Sequence, residues 1–167
     1  MLRDVVDRTE EFSGSGPYQR REQGVYLLLV HNSTEHEVYD RNGAGKLLVR
    51  PGGWMVKAGK FEGGLGPRMC LNYVRFHLRD RETEVRDSVF PSMLKMLLVH
   101  FMSGDSPKTV RSVETKLKRR LRELLNSERL SEGDQAGHSE SRRLVRLPPD
   151  DFETKLKKLI VETIEAR

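Results

Sequence analysis

Gly24-Val-Tyr-Leu-Leu-Leu-Val30 is the stretch on which the reading of this chain turns. It is dense in strand-forming and apolar residues and is bounded by the turn-like His31-Asn-Ser-Thr34. A short apolar run between turn signals reads as a buried strand. Downstream, Glu37-Val-Tyr39 and Lys46-Leu-Leu-Val49 flank Asp40-Arg-Asn-Gly-Ala-Gly45. Asn42-Gly43 supplies the positive φ angles of a hairpin turn, so residues 36–50 read as an inserted hairpin. Pro51-Gly-Gly53 is a further turn, and Trp54-Met-Val-Lys-Ala58 a second strand. Gly59-Lys-Phe-Glu-Gly-Gly-Leu-Gly-Pro67 then reads as a glycine-rich loop able to approach a ligand closely.

Pro67 suits the first turn of a helix carrying Arg68. Tyr73-Val-Arg-Phe-His-Leu78 alternates like a strand but also allows the helix to continue, and residues 79–88 form a charged connection. Met93 to Met102 reads as another strand, with a buried helix as the alternative. The clearest helix follows. Ser106 is its N-cap candidate and Pro107 fits the first helical position. Val110, Val113, Leu117, Leu121 and Leu124 form one apolar stripe, and Asn126 closes the element. Residues 127–142 are a polar linker, Leu144 to Leu147 a short strand, and Phe152, Leu156, Leu159, Ile160 and Ile164 line the apolar side of a final helix. Residues 1–12 read as a short polar helix, broken by Ser13-Gly-Ser-Gly-Pro17. The fold class is α+β: a small, mainly antiparallel central sheet flanked by helices. Residues 1–23 form an N-terminal helix and linker, 24–126 the core, and 127–167 a C-terminal helical appendage.

The chain has 167 residues, 33% of them charged and 36% apolar, with net charge +5. That length buries a core without covalent staples. Cys70 is the sole cysteine, which excludes an intramolecular disulfide framework and a multi-cysteine zinc site. No apolar run reaches membrane-spanning length and the first residues are too charged for a signal peptide, so a cytoplasmic setting without membrane contact is expected. Residues 107–126 hold seven basic and two acidic residues, an excess equal to that of the whole chain. Such a helix is suited to phosphates; a solvated charged face is the plainer reading.

Taking Val110 as zero, Leu117 falls near about 340°, Leu121 near about 20° and Glu114 near about 40°. Glu114 therefore sits at the edge of the apolar stripe. A half-buried carboxylate needs either a cationic partner or a metal ion. Tyr26 and Lys57 lie on the two strands and Arg68 opens the next helix. A phenol, two cations and a carboxylate are the ingredients of a phosphodiester-cleaving site. The plainer alternatives are a packed aromatic for Tyr26 and a snorkelling edge residue for Lys57.

The order of these fragments resembles the GIY-YIG nuclease superfamily, in a branch like the restriction and homing endonucleases. Gly24-Val25-Tyr26 matches its first motif. Val56-Lys57-Ala58-Gly59-Lys60 matches the second, with Lys57 in place of the family's second tyrosine. Arg68 stands where its helix arginine stands, and Glu114-Thr-Lys-Leu117 with Asn126 matches its glutamate helix. The resemblance covers roughly residues 24–126 and implies a β-β-α-β-α core. The hairpin makes the connection between the first two motifs longer than is usual for the family. The position one turn after the arginine is Asn72, with Tyr73 and His77 nearby, where the family often has His or Tyr.

The resemblance further implies a DNA endonuclease dependent on Mg²⁺ (or Mn²⁺), of site-specific restriction or homing type. In it Glu114 would ligate the metal, Tyr26 accept the proton of the attacking water, Lys57 lower the phenol's pKa and Arg68 hold the scissile phosphate. Lys60, Tyr73, His77, Arg111, Lys118 and Asn126 are the expected contacts to double-stranded DNA, and His31, His77 and His100 are spare bases. Cutting both strands would need a homodimer or sequential nicking. Two other readings stand beside this one: a non-catalytic nucleic-acid-binding module using the basic helix 107–122, and a protein-interaction domain meeting an acidic partner.

Overall fold

The computed structural model describes residues 6–7, 23–33, 35, 38–39, 47–62, 94–102, 104–130, 142–145 and 150–166. Within them the strands are β1 (Val6–Asp7), β2 (Gln23–His31), β3 (Val38–Tyr39), β4 (Leu47–Val49), β5 (Trp54–Glu62), β6 (Leu94–Phe101) and β7 (Arg142–Val145). The helices are α1 (Pro107–Ser127) and α2 (Phe152–Glu165). The main sheet runs β1-β6-β2-β5-β7 with every pair antiparallel, and β3 pairs with β4 separately. The class is α+β.

β2 is the central strand, and its apolar run is explained by burial on both faces. Val25, Leu27 and Leu29 share one core with Val56 and Ala58 of β5, Met96 and Leu98 of β6, and the apolar stripes of α1 and α2. On the opposite face Tyr26, Leu28, Val30, Met55, Leu97 and Val99 are buried as well. Both described helices thus lie on one side of the sheet, α1 over β5 and β2, α2 beside it.

Two expectations are corrected here. Val6 and Asp7, read within a polar helix, pair as a strand with Val99 and Leu98. An available sheet edge overrides a weak local helix preference. The segment Gly59–Glu62, read as loop, continues β5 in unbroken register against Gly24–Gln23 at its end. The hairpin and β7 fall within two residues of their sequence-read positions.

α1 is closed at both ends by side-chain and backbone bonds. Ser106 Oγ accepts from the Thr109 amide at 3.2 Å, satisfying one orphan donor of the first turn. At the other end the Leu130 amide donates to Leu125 O at 2.9 Å and the Arg129 amide to Asn126 O at 3.2 Å. This is a Schellman closure, with Arg129 in the left-handed region at φ 54° and Leu130 folded into the core. The helix therefore runs one residue past Asn126. Lys155 Nζ then ties α2 to that end, donating to Glu128 Oε1 at 2.7 Å and lying 3.3 Å from Asp151 Oδ2. The turn beside β5 has Pro51 then Gly52 at φ 72°, closed by Gly53 N–H to Arg50 O at 2.9 Å. Positive φ after proline is the type II pattern, which favours glycine.

Among the described residues no helix is long and apolar enough to cross a membrane.

Candidate nucleic-acid interface

The two sequence motifs lie side by side on β2 and β5. Tyr26 stands directly opposite Gly59, and Gly24 directly opposite Phe61. Each glycine accommodates the other strand's aromatic ring. A Cβ on Gly59 would lie 2.5 Å from Tyr26 Cζ and 2.5 Å from its hydroxyl oxygen. A Cβ on Gly24 would lie 2.8 Å from the Phe61 ring and 2.0 Å from the carbonyl oxygen of His100. Phe61 and Phe101 meet edge to face at 5.7 Å on either side of Gly24. Glycine is needed at position 59 because the Tyr26 ring occupies the space above the backbone, and at position 24 because the His100 carbonyl and the Phe61 ring do. Tyr26 is 5% exposed, with its hydroxyl carried onto β5 at Gly59. Lys57 opposes Leu28, two residues from Tyr26, so it stands on the same face as the phenol.

The opposite face carries charge along the seam between β5 and α1. Lys60 Nζ lies 3.1 Å from Glu62 Oε1, and Arg111 Nε lies 3.4 Å from the same oxygen. The Lys60 hydrogen bond, aided by the charges of Lys60 and Arg111 and opposed by partial desolvation, holds the Glu62 carboxyl below its ordinary pKa. One turn on from Arg111, Glu114 pairs with Lys118 at 2.8 Å, its side chain 15% exposed. Helical spacing sets Arg122 on the flank of Arg111 and Lys118. Among the described residues, four cations and two carboxylates thus line this seam, a net positive surface of the kind phosphates approach. Lys108, Lys116, Arg119 and Arg120 add to the charge around the helix, where Arg119 Nε lies 4.0 Å from Glu123 Oε1.

The expected single pocket is not assembled among the described residues. Tyr26 and Lys57 lie on one face of the sheet. Glu114, Lys60, Arg111 and Lys118 lie on the other, because α1 packs on the side of Val25, Leu27, Val56 and Ala58. Arg68, Tyr73 and His77 lie outside the described residues. The two faces come closest at the outer edge of β5. β7 covers only Trp54–Lys57, so from Ala58 to Glu62 that edge has no strand partner among the described residues. Tyr26's hydroxyl reaches this part of β5 from one side, and Lys60 and Glu62 belong to it on the other.

Asn126 does not join the cluster. It is exposed twelve residues beyond Glu114, about 18 Å along the helix axis. His31 stacks on Trp54 with ring centroids 4.3 Å apart and planes 16° apart, at the far end of β2. Its Nε2 lies 3.3 Å from Gly52 O. His100 is buried on the helix face opposite Val25. Neither histidine stands beside Tyr26.

Sequence reasoning missed Glu62, the carboxylate that holds both Lys60 and Arg111. The alternation Lys60-Phe61-Glu62 was its only local signal, hidden by reading Gly59 as the start of a loop. The half-buried Glu114 does have a cationic partner, Lys118, which was the plainer of its two readings.

Among the described residues no three His, Cys, Asp or Glu side chains gather as a metal-binding group. Glu114 alone would present one carboxylate, which suits a Mg²⁺ ion that keeps most of its waters, but Lys118 already takes one of its oxygens. No protein-family model, curated protein or solved structure matches the chain.

Proposed function

We propose that the chain is a divalent-metal-dependent DNA endonuclease of GIY-YIG type that grips the duplex through the basic α1. The reading is carried by one observation: adjacent strands β2 and β5 bring the two motifs together at the directly opposed pair Tyr26 and Gly59, with the phenol lying on Gly59 and Lys57 two residues along β5 on the same face. The charge of α1 supports a polyanionic partner. In this reading the backbone of DNA crosses the outer edge of β5. Tyr26 accepts a proton there, the Lys57 ammonium favours the phenolate, and Arg68 neutralises the phosphate. Glu114 would hold Mg²⁺ or Mn²⁺ once Lys118 turns to a phosphate, and a bound cation supplies charge stabilisation to the leaving oxygen. A homodimer would serve to cut both strands.

A second reading is a non-catalytic nucleic-acid-binding module. It is favoured by the Glu114–Lys118 pair and by the sheet standing between Glu114 and Tyr26. One experiment separates the two. Plasmid DNA is incubated with the protein across a Mg²⁺ and Mn²⁺ series, beside Tyr26→Phe and Glu114→Gln variants whose folding is checked by circular dichroism. Metal-dependent nicks lost in both folded variants support the nuclease. Retention of DNA without cleavage at any metal concentration supports the binding module and removes the nuclease.

A further inference from the structure

α1 carries its charge on ridges of residues four apart, the rows in which helix side chains line up. Arg111, Thr115, Arg119 and Glu123 form one ridge, and Glu114, Lys118 and Arg122 belong to its neighbour. Acids answer cations in both: Glu62 lies against Arg111, Glu123 against Arg119 and Glu114 against Lys118. The third charged ridge, Lys108-Ser112-Lys116-Arg120, holds three cations, a hydroxyl and no carboxylate. Among the described residues no ion pair involves Lys108, Lys116 or Arg120.

Lys108 is exposed, whereas Lys116 and Arg120 are half-buried beside the buried ridge Val113-Leu117-Leu121. Long cationic side chains at such a border lay their stems on apolar surface and keep their heads in water. Less side-chain freedom is then left to lose on binding. Like charges four apart on a helix repel, and an anion shared between them reverses the sign of that interaction. From Lys108 to Arg120 the ridge runs about 18 Å along the helix axis. Over that length one strand of a duplex carries about five phosphates.

We infer that Lys108, Lys116 and Arg120 are the residues by which α1 holds the phosphate backbone of duplex DNA, while Lys60, Arg111 and Lys118 are held by Glu62 and Glu114. The inference rests on the reading of α1 as the grip on DNA and assigns that grip to one ridge. The planar fork of Arg120 suits two phosphate oxygens and the two ammonium groups act as point charges. The Ser112 hydroxyl adds a donor of the kind that positions a backbone.

The test is binding of a fluorescent 20-base-pair duplex in EDTA, measured by anisotropy over a salt series. The variants are Lys116→Gln, Arg120→Gln, their double variant, Arg120→Lys and Lys108→Gln, with folding checked by circular dichroism. Lys95→Gln, at an exposed position on β6, removes the same charge elsewhere. Loss of one phosphate contact lowers the slope of log affinity against log salt by about one. Each single Gln variant on the ridge is expected to lower it so, and the double variant by about two. Arg120→Lys should restore most of the slope and Lys95→Gln should leave it at wild type. Lys108→Gln, at an exposed position, reads the same ridge should a half-buried variant fail to fold.

Equal loss in Lys95→Gln, or an unchanged slope in the folded ridge variants, overturns the ridge while leaving DNA binding intact. Failure of the wild type to bind the duplex removes the functional reading and the ridge with it. A fluorescent polyglutamate of equal charge bound more tightly than the duplex assigns the ridge to an acidic polypeptide and overturns the inference.

Discussion

Gly59→Ala separates what the paired motifs do for packing from what they do for chemistry. The added methyl would sit 2.5 Å from Tyr26 Cζ and 2.7 Å from its Cε1, well inside contact distance. Tyr26 is 5% exposed, so the ring has little room to withdraw. Overpacking of this kind costs about 1–3 kcal/mol. Replacing glycine in a strand returns about 0.5–1 kcal/mol of backbone entropy, leaving a net loss of up to about 2.5 kcal/mol. Urea denaturation followed by circular dichroism measures it. Tyr26→Phe should not rescue the variant, because the offending ring carbons remain. Tyr26→Ala should, giving an interaction energy in the double variant within the range of about 0.5–3 kcal/mol seen for contacting residues. Gly24→Ala should be worse, above about 3 kcal/mol, because its methyl would meet the fixed backbone carbonyl of His100 as well as the Phe61 ring. A stable Gly59→Ala protein, or a penalty that persists without the Tyr26 ring, would refute this account of the motif.

Leu117→Ala, at a fully buried position between α1 and the sheet, should destabilise by about 2–5 kcal/mol in the same assay. Ser106→Ala removes the acceptor of the Thr109 amide and should cost about 1 kcal/mol, read as a lower thermal midpoint. Arg129→Gly relieves a left-handed residue in the Schellman closure and should raise stability by up to about 1 kcal/mol; a decrease would show that the arginine side chain outweighs its backbone cost. The Glu62 carboxyl is held below its ordinary pKa by Lys60 and Arg111. Its contribution to stability is therefore complete above about pH 4.3 and is lost as pH falls through the folded value. A carbon-13 titration of Glu62 should place its midpoint below that of an unpaired glutamate, and Glu62→Gln should flatten that part of the acid limb.

The sequence made β2 and α1 legible for local reasons. Val25 to Val30 is an uninterrupted apolar run because both faces of the central strand are covered. α1 announces itself by Ser106, Pro107 and a stripe that the structure buries at Val110, Val113, Leu117 and Leu121. What stayed hidden is non-local. Gly59 reads as a loop residue unless one knows that Tyr26 fills the space above it from another strand. Val6–Asp7 is a strand only because β6 offers an edge. Helical periodicity placed Glu114 at the rim of the apolar stripe, where the structure finds it half-buried, but periodicity cannot tell which side of a sheet a helix will cover. That choice, made by the packing of α1 on Val25, Leu27, Val56 and Ala58, is what parts Glu114 from Tyr26.

The positions of β1 and β7 bear on how the molecule acquires its shape. Val6 must find Val99, and Trp54 must find Val145, so both outer strands join partners some ninety residues away in the chain. Pairings of such span are slow, because the entropy of loop closure is lost before any contact rewards it. During synthesis the three inner strands and α1 can gather once residue 127 has left the ribosome, while α2 and β7 arrive last. The growing polypeptide would then pass through a stage in which the helix-side core lacks α2 and β5 lacks its pairing with β7. That is the interval of greatest exposure to wrong association, and pulsed proteolysis of stalled chains ending before and after residue 145 would time its close.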